Sequence, residues 1–177
     1  MKTASRYMPK YKSRPISPLG WLCLVVLVGL FFWLIWRFPY LLFLIPAFIL
    51  IWMGENKKRN KHFKDLLKDR DDDSICTFSR HFEFSEVDTW VLRAVYEQLQ
   101  SYLNGEKENF PIRATDDVFK DLMIDEEDFE YGLIEEIAQR TGRTLVNADS
   151  NPYYAKANII ENLVFFFNEQ PKINASK

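Results

Sequence analysis

A run of 33 residues, 21–53, is almost wholly apolar and limits what this chain can fold into more than any other feature. It reads WLCLVVLVGLFFWLIW, then Arg37-Phe38-Pro39-Tyr40, then LLFLIPAFILIWM. A soluble domain drawn from 177 residues does not hide so long an apolar stretch, whereas a bilayer requires one. The run is too long and starts too late for a signal-peptide core, and it carries no small-residue cleavage site. As a single helix it would reach roughly 50 Å, against about 30 Å of hydrocarbon. Broken at residues 37–40 it gives two legs, 21–36 and 40–53, of roughly 24 Å each. That smaller mismatch can be met by bilayer thinning and by snorkelling of Arg37. Trp21 and Trp52 then mark one interface, Trp36 and Tyr40 the other.

Charge sets the expected orientation. Lys2, Arg6, Lys10, Lys12 and Arg14 precede the run; Lys57, Lys58, Arg59, Lys61, Lys64, Lys68 and Arg70 follow it. Positive charge on both flanks predicts both termini on the cytoplasmic side, hence an even number of spans, two. Residues 1–70 carry 13 Lys+Arg against 3 Asp+Glu, a net +10, while 71–177 carry 10 against 22, a net −12. The basic part suits contact with anionic membrane lipids. The acidic part lacks the clustered positive charge that nucleic-acid binding rests on. The expected segments are a basic N-terminus (1–19), a transmembrane hairpin (20–53), a charged linker (54–73), an acidic helical domain (74–170) and a tail (171–177). The linker is expected to continue out of the membrane as a solvated helix, with Phe63, Leu66 and Leu67 on its interfacial side. Cys23 and Cys76 sit in no CxxC or Cys/His cluster, which points to free thiols in a reducing compartment.

The acidic part reads as all-α. Val87, Val91, Val95 and Leu99 recur every four residues, widened by Trp90, Ala94 and Leu103. Ser85 with Asp88 resembles a capping box for this helix, and Asn104-Gly105 stops it. A loop over 106–125 holds the apolar anchors Phe119, Leu122 and Ile124. A second helix begins at Asp125, with Phe129, Leu133 and Ile137 inward and Ile134 beside them, and ends near Thr141-Gly142. Glu126, Glu127 and Asp128 crowd its first turn, where the helix dipole favours negative charge. A short turn or helix at 151–155 leads to a last helix. There Asn158 and Glu161 form a capping pair, Ile160, Leu163, Val164 and Phe167 form the stripe, and Pro171 follows the end. Three main helices and a short fourth make a compact bundle.

Within that order, Asp116-Asp117-Val118-Phe119-Lys120-Asp121-Leu122-Met123-Ile124-Asp125 is similar to the segment that leads into the second helix of acyl carrier proteins. Asp121, Leu122 and Asp125 match that family's Asp-Leu-x-x-Asp-Ser-Leu pattern in place. Ile134-Glu135-Glu136-Ile137-Ala138 and Leu145 fall where the family has its second-helix core and the apolar residue after it, and residues 158–167 resemble its closing helix. The resemblance covers roughly residues 85–169. It implies a small carrier-like bundle recognised by basic patches on partners through the acidic second helix, here Glu126, Glu127, Glu130 and Glu135. The family attaches phosphopantetheine to the serine after the second Asp; Glu126 stands at that position, Glu127 beside it, and neither can form the phosphodiester. The nearest hydroxyls, Thr115 and Thr141, lie about ten residues or more away. No cofactor is therefore expected.

His62 and His81 are the only histidines and have no supporting ligand spacing, so no metal site is expected. The acidic runs at 71–73 and 125–128 lack the Gly and terminal Glu of a calcium loop. No phosphate loop, GxSxG elbow or Cys-His pairing appears, and no catalytic residue is assigned. The expected function is a non-catalytic, carrier-like interaction module, multi-pass in a bacterial inner membrane, with a basic-surfaced protein partner. The alternatives are a genuine carrier with an unconventional attachment site and an accessory subunit of a membrane enzyme complex.

Overall fold

The computed structural model describes residues 4–13, 15–70, 73–83 and 85–173. Lys2, Arg14, Asp71, Asp72 and the end of the tail, 174–177, lie outside the described residues. The chain is all-α: no β-strand forms among the described residues, and only two isolated antiparallel bridges join extended segments. It divides into two units, Lys12–Lys61 and a second built from Met1–Tyr11 together with His62–Lys177.

In the first unit, helix α1 (Pro18–Arg37) starts where Ser17 accepts a hydrogen bond from the Gly20 N–H at 3.2 Å, with Pro18 in the first turn. Both choices satisfy or dispense with N–H groups that the first turn leaves unpaired. The helix ends at Arg37, and a 3₁₀ turn follows at Pro39–Phe43. The break thus falls within residues 37–40. The second leg departs from expectation. Helix α2 (Leu44–Leu67) begins only after the 3₁₀ turn, and its first ten residues alone belong to the apolar run. Pro46 sits in its first turn, where a missing N–H costs nothing. Apolar side chains along both legs stay uncovered: Trp21, Phe32, Trp36, Phe48 and Trp52 are all more than half exposed. Among the described residues, α1 alone is long and apolar enough to cross a membrane.

In the second unit, three helices enclose the core: α4 (Thr89–Leu103), the helix of residues 126–141, and α7 (Ile160–Glu169). The middle one is continuous but changes pitch, passing from α5 (Glu126–Asp128) through a π turn (Phe129–Leu133) to α6 (Ile134–Thr141). Gly142 closes it in the left-handed conformation (φ 64°), as a C-terminal glycine is suited to do. The expected stripes are buried: Val87, Val91, Val95 and Leu99; Phe129, Leu133 and Ile137; Ile160, Leu163, Val164 and Phe167. Trp90 is half-buried against them. Two expected caps are replaced. Asp88 itself caps α4, accepting from the Trp90 N–H at 3.1 Å, and Ser85 stands outside the helix. The N-terminus of α7 has no side-chain cap; the Ile160 and Glu161 N–H groups donate to the carbonyls of Asp116 and Ala114 instead. Asn158 is thereby released for another contact.

The loop between α4 and residue 126 is as buried as a helix would be. Phe110, Ile112, Val118 and Leu122 are each at most 1% exposed, and full burial of such side chains is worth about 1.5–3 kcal/mol apiece. An unforeseen short helix, α3 (Ile75–Arg80), brings Phe78 against Tyr96, their ring centroids 5.1 Å apart. The folded unit also begins earlier than residue 74. Phe63, expected at the membrane interface, is 3% exposed and packs edge-on against Phe110 at 5.4 Å. Arg70 forms a bidentate pair with Asp116, both bonds 2.7 Å and both residues buried. At the other end of the sequence, Met8 is buried and the Pro9 carbonyl accepts from Arg140 Nε at 3.3 Å.

Candidate functional site

The segment that resembles the carrier motif is held by its own aspartates. The Asp117 carboxylate accepts from the N–H groups of Phe119 (2.9 Å) and Lys120 (3.1 Å) and from Asn158 Nδ2 (2.9 Å). Burial acts to raise the Asp117 pKa, but these donors and the Lys120 ammonium outweigh it and hold the carboxyl below its ordinary value. The Asp121 carboxylate accepts from the Asp117 N–H at 2.8 Å, and its carbonyl meets His62 Nε2 at 2.9 Å. Leu122 is fully buried, and Asp125 occupies the N-cap position with its carbonyl accepting from the Phe129 N–H at 2.9 Å. Every matched residue thus has a structural task, fixing the loop and starting the helix.

Glu126, at the position of the carrier serine, is exposed in the first turn. Thr141 is buried with its hydroxyl donating to the Ile137 carbonyl at 2.8 Å, while Thr115 is exposed on the far loop. Glu127, Glu130 and Glu135 are exposed as well. The four predicted partner residues are not equivalent. Glu126 and Glu130 line a groove of about 400 Å³; Glu127 and Glu135 lie outside it. Phe119, Phe129, Ile134, Leu145, Ala157 and Phe166 also line it, with Tyr131 and Tyr154 at its edge. The groove is not legible in the sequence because its lining runs from residue 119 to 166 across five segments. Only Tyr131, an aromatic on the polar side of an amphipathic helix, gave a local sign.

A second cavity, about 570 Å³, opens between the N-terminal segment, α4 and α6. Lys10, Tyr11, Ser101 and Tyr102 line it beside a chain of polar contacts. Arg140 donates to Gln98 Oε1 (2.9 Å) and to Glu97, and Gln98 Nε2 donates to Glu136. Burial first, then the charges of Glu136, Asp128 and Tyr11, push the Tyr102 phenol up to about 12. Tyr102 also explains Gly132 in the π turn. A Cβ there would lie 2.2 Å from the Tyr102 hydroxyl, so any larger residue requires the Tyr102 side chain to shift. Arg140, Gln98, Glu97 and Glu136 are thereby bonded to one another, which fastens α4 to α6.

Cys23 and Cys76 are exposed free thiols. Among the described residues no group of three or more His, Cys, Asp and Glu side chains could hold a metal ion. No family model, curated protein or solved structure matches the chain.

Proposed function

We propose that this chain is a membrane-anchored, non-catalytic interaction module, carrier-like in layout, held at the cytoplasmic face of a bacterial inner membrane by a two-span hairpin. The observation that carries the reading is that one folded unit is built from both flanks of the uncovered apolar segment. Residues on both sides of the segment then share one aqueous compartment, which requires an even number of crossings. This supports the hairpin independently of the positive flanks. The lengths are compatible with it. Twenty residues of α1 span about 30 Å. The five-residue 3₁₀ turn and the ten apolar residues of α2 add up to about 25 Å.

The interaction role is supported by the exposed carboxylates of Glu126, Glu127, Glu130 and Glu135 on one helix, facing water near a surface that basic partners would approach. Glu126 at the serine position disfavours a loaded carrier. Affinity capture from membranes, comparing the wild type with a variant in which all four glutamates are reversed to Lys, tests this role. The reading expects partners to be lost from the variant; an unchanged partner list contradicts it.

A further inference from the structure

The groove beside the 126–141 helix combines properties that a merely soluble surface does not need together. Phe129, Ile134 and Phe166 supply apolar lining, Tyr131 and Tyr154 stand 78% and 53% exposed, and among the described residues the charged side chains lining it are Glu126 and Glu130. Among the described residues neither glutamate has an ion-pair partner. Its volume is about 400 Å³.

Resting on the interaction-module reading, we propose that this groove receives a cationic amphipathic helix of a partner protein, its apolar side chains entering beside Tyr131 and Tyr154 and its Lys or Arg side chains pairing with Glu126 and Glu130. Charge complementarity selects this occupant. Two carboxylates four positions apart lie one helical turn from each other, and cations at i and i+4 of an adjacent helix match that spacing. An apolar stripe at helical spacing fills the groove between them, the helix-in-groove mode of recognition. Anionic lipid headgroups or nucleic acid would meet like charge at the rim, and the same groove of a second copy would bring its own glutamates to the contact.

The test places a photoreactive benzoylphenylalanine at Tyr131 in the full chain, in its own membranes, and sequences the captured peptide. The same substitution at the exposed Glu108, outside the groove, is the control. Expected is capture of another protein's segment with Lys or Arg beside apolar residues at helical spacing, absent at Glu108. Its yield should fall about tenfold or more with Glu126→Lys and Glu130→Lys together, and less with the Gln pair, which keeps shape while removing charge. Capture of lipid, of this chain's own segments or of an acidic peptide overturns the proposal, as does no product at Tyr131 or a yield indifferent to both pairs. Glu127→Lys with Glu135→Lys separates the two readings. Loss of affinity-captured partners through that pair alone, with no product at Tyr131, leaves the module standing and removes the groove from it.

Discussion

Residues 18–53 and the folded unit draw on the same apolar vocabulary and put it to opposite use. Trp21, Phe32, Trp36 and Trp52 are more than half exposed, whereas Phe63, Phe78, Phe110 and Phe167 are at most 3% exposed. The difference lies in what surrounds the side chains. In the folded unit amphipathic stripes supply their own cover; the apolar segment has no polar face to turn outward, and under the proposed anchoring lipid supplies its cover. Side-chain deletion should therefore be costly in one region and nearly silent for folding in the other.

The largest effect is expected where a buried charge would be orphaned. Arg70→Ala leaves Asp116 buried without its guanidinium, a change that costs about 3–5 kcal/mol in comparable pairs. Thermal melting of the full chain in detergent should show the folded unit collapsing or melting far earlier. A melt close to wild type would mean that the pair does not fasten residue 70 to the loop. Next comes Phe63→Ala, for which about 3–5 kcal/mol is typical of a buried aromatic. Phe32→Ala in α1 should leave the same transition unmoved, and equal shifts for the two would erase the contrast between the regions.

Two smaller effects sharpen the picture within the folded unit. Gly132→Ala should destabilise by about 1–3 kcal/mol as an overpacking change, and Tyr102→Phe should relieve much of it, because the added Cβ meets the hydroxyl first. Additive effects of the two substitutions would rule out that contact. Asp117 gives a pH signature. Its carboxyl is held below the ordinary value of about 3.9, so its contribution is complete above that value and is lost as pH falls through the lower folded value. Asp117→Asn should be less stable at neutral pH and should lose less on acidification than the wild type. The smallest effect is expected at Glu126→Ser, within about 0.5 kcal/mol for an exposed site, apart from some lost interaction with the helix dipole. A strongly destabilised variant would show that Glu126 is more than a surface residue.

What the sequence made legible is what repeats locally. The stripes of α4, of the 126–141 helix and of α7 announce themselves at intervals of three and four residues, and their inner faces are the buried ones. The break at residues 37–40 is announced by Pro39. Contacts between distant residues leave no such period. Arg70 and Asp116 are 46 positions apart, and Pro9 and Arg140 are 131 apart. For that reason Phe63 reads as interfacial and the folded unit reads as starting at residue 74. The partner residues were legible as charges on one helix. Their division into Glu126 and Glu130 at the groove and Glu127 and Glu135 away from it depends on Leu145, Tyr154 and Phe166 arriving from elsewhere.

A two-span anchor puts both flanks of the apolar segment on one side of the membrane. The direct measurement is labelling of single cysteines by a membrane-impermeant maleimide, in intact cells and in inverted vesicles. Three proteins suffice, each with Cys23 replaced by Ala: one keeps the native exposed Cys76, and two carry Cys76→Ser with either Lys10→Cys or Tyr40→Cys. The proposed two-span anchor requires labelling at positions 10 and 76 only in inverted vesicles, and at position 40 only in intact cells. Labelling of positions 10 and 76 from opposite sides would contradict it.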